Sequence, residues 1–315
     1  MIHANLIHLG YNMWEDQVPA GDNDPALPER VHDRAYHREL RFDEDVWRRL
    51  VARMAEAGMN MVVLDLGDGV AWRSHPEIAV EGAWPAGTLR DELQRCRDVG
   101  LEPIPKLNFS ATHDAWMGPY SRMLSTEPYY AVCRDLIAEA IEWFDAPRLF
   151  HLGMDEETAH HQRYYQYVVI RQGSLWWNDL NFLIDEVHRG GSQAWVWSDK
   201  LWGMDAATFE RNMPKSVVQS NWYYDADFAP PEEPHRRYVE AFAELDRMGY
   251  RQVPTGSNWA TEDNYAGLVR HAREHLDASR VLGYLMTSWI PTLPAYEPRH
   301  ERAIEIAAEA VRAPK

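Results

Sequence analysis

The feature that most limits what this chain can fold into is a regular alternation of short β-rich apolar runs with segments of helical apolar spacing. The runs fall at 5–10, 60–66, 102–109, 149–154, 193–197, 217–222, 252–258 and 282–289. Between them, Val46, Leu50, Met54 and Ala57 make one helical face, closed by Gly58. Leu89, Leu93 and Cys96 make a second, Tyr130, Cys133, Ile137 and Ile141 a third, and Leu180, Ile184 and Val187 a fourth. The fifth helical segment, 206–213, is short, and Tyr238, Phe242 and Leu245 head the later ones. Strict β-then-α alternation implies a parallel sheet, and eight repeats imply closure. The prediction is an α/β fold, a (β/α)8 TIM barrel occupying 1–315 as a single domain. An open doubly wound sheet is the main alternative, disfavoured because no Gly-rich phosphate turn follows the first run. The longest irregular stretch, 16–39, follows the first strand and is expected to form a lid or rim on the catalytic face.

In such a barrel, chemistry sits at the C-terminal ends of the strands. Those positions hold Tyr11, Asn12 and Trp14, then Asp65, Asp68 and Trp72, then Lys106, Asn108 and His113. The fourth end supplies His151, Asp155, Glu156 and Glu157, and the fifth Trp197 and Asp199. The sixth supplies Trp222, Tyr223, Tyr224 and Asp225, the seventh Trp259, and the eighth Trp289. The opposite face offers ordinary caps and Gly turns. That asymmetry marks the site.

Composition narrows what the site meets. The chain has 14 Trp and 15 Tyr against 8 Phe, which favours rings with a polar tip suited to stacking on sugar C–H faces. A net charge of −17 argues against nucleic-acid binding, which needs a basic face. No run approaches the about 20 apolar residues of a membrane span. The two cysteines, Cys96 and Cys133, have no metal or redox spacing, and the first residues carry no signal-peptide pattern. The expected partner is a carbohydrate, with no nucleic acid and no membrane, and the expected location is the cytoplasm.

Glycoside hydrolysis needs a protonated carboxyl at the leaving oxygen and a second anionic group near the anomeric carbon. Asp155 and Glu156 are the candidates. Adjacent residues on a strand point oppositely, so both face one pocket only if the chain leaves β geometry, which Gly153 permits. An acidic triplet is also an ordinary helix start. A divalent metal site is an alternative, because Glu156 with His160 and Glu157 with His161 have i,i+4 spacing, with His151 and Asp155 nearby. A barrel that binds carbohydrate without turnover is another.

His151-Leu152-Gly153-Met154-Asp155-Glu156 resembles the His-x-Gly-x-Asp-Glu signature of family 20 glycoside hydrolases, the β-N-acetylhexosaminidases. The likeness extends to Asp68 through Arg73 with His75-Pro76-Glu77-Ile78, to the segment from Glu102 to His113, to Trp197-Ser198-Asp199 and to Trp222-Tyr223-Tyr224-Asp225. It covers roughly residues 60–290. The resemblance implies an exo-acting, substrate-assisted, retaining reaction on a terminal 2-acetamido sugar, with no cofactor and no metal. Asp155 would orient the acetamido group and Glu156 would act as acid and then base. Tyr223 or Tyr224 would bond the acetamido oxygen, His113 would support Glu156, and Trp197, Trp222 and Trp289 would line the sugar pocket. Asp199, Asp225 and Trp259 are further candidate sugar contacts at their strand ends. The chain departs from the family where an arginine is usual in the first strand, where Leu9 to Trp14 has none, and where Trp-x-Glu is usual in the last, where Ile290-Pro291 follows Trp289. Ala111-Thr112 stands before His113 in place of Pro-Gly.

Overall fold

The computed structural model describes residues 1–17, 34–163 and 165–313, so most of the predicted rim at 16–39 lies outside the described residues. Within them eight strands alternate with eight α-helices. They are β1 (Ile2–His8), α1 (Glu44–Glu56), β2 (Met61–Asp65), α2 (Ala86–Asp98), β3 (Glu102–Lys106), α3 (Glu127–Trp143), β4 (Leu149–His151) and α4 (Ser174–Arg189). The second half is β5 (Gln193–Trp197), α5 (Ala206–Asn212), β6 (Val218–Ser220), α6 (His235–Arg247), β7 (Thr255–Ser257), α7 (Asn264–His275), β8 (Gly283–Thr287) and α8 (Glu297–Arg312). The strands pair in parallel in the order β6-β5-β4-β3-β2-β1-β8-β7. Parallel bridges Gln219↔Gln252 and Trp222↔Thr255 join β6 to the β7 segment and close the ring. The predicted (β/α)8 barrel is the observed fold.

Local chemistry explains the elements. Asp43 caps α1 by accepting the Val46 N–H at 2.8 Å, and Glu44 and Asp45 complement the helix dipole. That helix buries Val46, Trp47, Leu50, Val51 and Met54 against the sheet. All five residues of β2 are buried, as expected for a strand covered by helices outside and side chains within. Several strands are shorter than the apolar runs suggested. β3 stops at Lys106 and β4 at His151. In β4 the reason is local: Gly153 (φ 70°) and Met154 (φ 79°) are left-handed, which a strand does not accommodate.

One register level at the mouth is polar. His8 pairs with Asp65, Asp65 with Lys106, and Lys106 with His151 across four neighbouring strands. His8 Nδ1 lies 3.2 Å from Asp65 Oδ2, and the buried Lys106 ammonium pairs with the same oxygen. Burial pushes the Asp65 carboxyl up, but the Lys106 charge and the His8 contacts outweigh it and hold it below the usual range. Burial keeps His151 neutral, its pKa well below the ordinary value, and its Nδ1 accepts the Gly153 N–H at 3.0 Å.

The chain between β4 and α4 is anchored by a second buried ion network. Arg171 reaches Glu157 at 2.6 and 2.9 Å, Asp179 at 3.2 Å and the Phe109 carbonyl at 2.6 Å. All three ionic side chains are almost wholly buried. Arg171→Met would leave two carboxylates in the interior without their cation. The expected loss is about 3–5 kcal/mol, read as a lowered urea midpoint at unchanged slope. A change below about 1 kcal/mol would show that water or relaxation replaces the guanidinium.

Candidate active site

The left-handed turn after β4 decides where the acidic residues point. A Cβ at position 153 would stand 2.0 Å from Asn108 Oδ1, so only glycine allows this approach. Asn108 then serves the turn from both ends of its amide. Its Oδ1 accepts the Met154 N–H at 3.1 Å, and its Nδ2 donates to Asp155 Oδ1 at 2.8 Å. The Asp155 carbonyl accepts from the hydroxyls of Ser110 and, at 3.2 Å, Thr112. Glu156 is itself left-handed (φ 54°), and its N–H donates to Asp199 Oδ2 at 2.8 Å. The chain leaves β geometry as the sequence pattern requires.

Both carboxylates consequently meet His113. Its Nε2 lies 3.2 Å from Glu156 Oε2 and 3.5 Å from Asp155 Oδ2, and one ligating atom from each of the three residues falls within 4.8 Å of the others. His161 Nε2 stands 3.5 Å from the other Glu156 oxygen. Burial alone would lower the His113 pKa, but the charges of Asp155 and Glu156 raise it above the ordinary value. For Glu156, burial pushes up, and the His113 hydrogen bond with the charges of His113, His161 and Arg34 brings it below the usual range. Asp199 is pushed to about 7 by burial and then by the Asp155 charge. The site thus gathers three carboxylates around one imidazole.

In front of them opens a cavity of about 230 Å³ lined by Trp14, Arg34, Asp155, Glu156, Trp222, Tyr224, Trp259 and Trp289. Trp222 stacks on Tyr224 with centroids 5.0 Å apart, and Trp289 Nε1 donates to the Tyr224 hydroxyl at 3.0 Å. A larger cavity of about 710 Å³ adjoins it, and Glu156 and Trp222 line both. Asp199 faces the larger one.

The remaining predicted residues are placed differently. Trp197 lines neither cavity; it packs between His151 (4.3 Å) and Trp289 (5.9 Å) beneath the pocket. Of the two tyrosines, Tyr223 turns away, with its ring against Phe228 and His235, because successive residues of an extended chain face opposite sides. Asp225 also lies outside both cavities, half-exposed and 3.5 Å from His235. Of the residues weighed for a metal, Asp155 and Glu156 meet at His113 and His161 stands beside Glu156, but His151 packs tilted against Trp195 and Trp197 inside the barrel, Glu157 is held by Arg171, and His160 lies beyond them in the following turn. Among the described residues the cluster with metal-ligand spacing is His113, Asp155 and Glu156.

Arg34 escaped the sequence reading. Its guanidinium lies 4.9 Å from the Trp14 ring and 5.6 Å from the Trp259 ring, and it lines the smaller cavity. Asn108 was noted only as a strand-end polar residue, and nothing in its spacing shows that it pins the turn.

The electrostatics has a direct spectroscopic consequence. The His113 imidazole should titrate above 6.5 in the native protein, followed by proton–nitrogen NMR of the ring. In the Asp155→Asn/Glu156→Gln double variant burial and the Lys106 charge remain, both lowering, and the midpoint should fall below 6.5. Equal midpoints would reject the three-way contact.

No family model matches the chain, and no curated protein matches it in sequence. Solved structures do match in fold. The family 20 exo-β-N-acetylglucosaminidase from Vibrio harveyi, determined with N-acetylglucosamine, superposes at a TM-score of 0.63 and 14% identity. That match covers 97% of this chain and 54% of the other, so the chain spans about half the length of that structure. The family 20 β-N-acetylhexosaminidase from Streptomyces coelicolor A3(2) gives 0.62 at 14% identity, covering 97% and 64%. The β-N-acetylhexosaminidase from Bacteroides fragilis NCTC 9343 gives 0.65 at 12%, covering 98% and 65%. At these identities the likeness is one of fold: this chain carries a (β/α)8 barrel like that of family 20 glycoside hydrolases.

Proposed function

We propose that this chain is a glycoside hydrolase that removes a terminal 2-acetamido sugar by substrate-assisted catalysis. The observation that carries the reading is that Asp155 and Glu156, which meet at His113, line a pocket walled by four indoles. A pocket of about 230 Å³ suits one sugar ring, and indole faces suit its C–H surface. The barrel of the solved hexosaminidases supports the reading at the level of fold.

The reaction follows from the placement. The acetamido carbonyl oxygen attacks the anomeric carbon as the glycosidic C–O bond breaks. Asp155, held by Asn108, accepts the acetamido N–H and balances the positive charge that develops. The Tyr224 hydroxyl donates to the acetamido oxygen, oriented by its bond from Trp289. Glu156 protonates the leaving oxygen, then takes a proton from the water that opens the cyclic intermediate. Its proton is stored on His113: the imidazolium–carboxylate pair holds one proton, and a sugar that covers Glu156 excludes water and favours the neutral form of both groups. Arg34 takes the place, though not the chain position, of a first-strand arginine as donor to the sugar hydroxyls.

A sugar-binding barrel without turnover is the second reading, favoured by the depressed Glu156 carboxyl. Parallel assays of aryl glycosides, N-acetylated and not, on wild type and Glu156→Gln separate the two. The glycosidase reading expects release from N-acetylhexosaminides only, cut by about 10²–10⁴-fold in the variant while sugar binding persists. It also expects inhibition by an N-acetyl thiazoline analogue and an unchanged rate after dialysis against a chelator. No release across the panel, with sugar binding retained, would favour the binding protein; loss on chelation would favour a metal at His113, Asp155 and Glu156.

A further inference from the structure

The 710 Å³ cavity is larger than one sugar needs, and one of its walls carries a charge that the reaction above does not use. Lys200, on the short helical turn after β5, lines this cavity and is partly buried. Its ammonium lies 4.6 Å from the centroid of the Trp176 ring and makes no ion pair among the described residues. Glu157 and Asp199 are the acidic groups that act on it. Glu157 is committed to Arg171; Asp199 accepts the Glu156 N–H through Oδ2 and, though its Oδ1 has no hydrogen-bond partner among the described residues, it makes no ion pair with Lys200. A half-dehydrated ammonium without an anion is an unfinished interaction. Its neighbours in the wall are Trp177, Trp202, Trp222 and Tyr238, an aromatic lining in which Trp202 stacks on Tyr238 and Trp222 on Tyr224. The start of α4 opens into the same space through Gly173 and Ser174, with no side-chain cap and no acidic residue in its first turn.

We propose that this cavity is a subsite for an acidic sugar, a uronic acid or a sulfated residue, with Lys200 as the counter-ion of its carboxylate or sulfate. That the subsite receives the leaving-group side of the substrate rests on the glycosidase reading, through Glu156, which lies at the junction of the two cavities. The anion preference rests on Lys200 alone. The preferred substrate is then a 2-acetamido sugar linked to an acidic one.

The test is a binding titration that needs no turnover. Quenching of tryptophan fluorescence is followed on addition of methyl β-glucuronide, methyl β-glucoside 6-sulfate and neutral methyl β-glucoside, to wild type, Lys200→Met and Lys200→Arg. Wild type should bind at least one acidic glycoside about tenfold more tightly than the neutral one, a gap of about 1.4 kcal/mol. The gap should close in Lys200→Met and persist in Lys200→Arg, whose far-ultraviolet spectrum and melting curve serve as the folding control. Comparison of the two acids tells carboxylate from sulfate. Equal affinities in wild type, a preference that survives Lys200→Met, or no saturable response to either acid would overturn the proposal. Failure of hydrolysis with the acid preference intact would remove the glycosidase reading and leave this subsite standing.

Discussion

The site depends on one backbone event, the left-handed turn that follows His151. Met154 and Glu156 are non-glycine residues at positive φ, a conformation costing about 1–2 kcal/mol each. Three neighbouring strands offset that cost with hydrogen bonds to the turn. Asn108 and the Ser110 and Thr112 hydroxyls come from the loop after β3, His151 from β4 itself, and Asp199 from the end of β5. The turn cannot relax without breaking contacts to its neighbours on both sides. This is why two sequence-adjacent carboxylates meet the same imidazole.

Around the turn, charge is sorted by whether it has a fixed partner. Asp65 with Lys106, and Glu157 and Asp179 with Arg171, are paired below and beside the site and stay ionised in the interior. Asp155 and Glu156 both contact His113, Glu156 also faces His161, and burial with the Asp155 charge pushes the Asp199 carboxyl to about 7. Burial likewise pushes Asp68 up to about 7, against the hydrogen bond that Asn12 donates to it. The paired ions hold the scaffold around the candidate site.

The barrel was legible because its signal is periodic. Eight apolar runs alternate with eight amphipathic faces, and each observed strand lies within or overlaps its run. The strand ends were less so, since apolar residues such as Leu152 continue past β4 into the turn and carry no mark of the change in φ. Asp155 and Glu156 could be picked out by their place at the fourth strand end and by the His-x-Gly-x-Asp-Glu pattern, although an acidic triplet is equally an ordinary helix start. Choosing Tyr224 over Tyr223 could not be done from the pattern, because it depends on where β6 ends relative to the pocket. Arg34 was out of reach for a different reason: it is far from any strand in sequence, and its return beside Trp14 and Trp259 is a tertiary fact. Lys200 reads as one more surface lysine until the cavity around it is seen.

The backbone angle at Glu156 bears on how this protein tolerates change. At φ 54° the residue that suits the chain is glycine, or less well asparagine; a long acidic side chain is a poor choice for the fold. Drift toward stability alone would remove it. If Glu156 is the acid proposed above, folding and chemistry pull in opposite directions at this position, and a copy of this barrel freed from that reaction would be expected to lose the carboxylate early while keeping its shape.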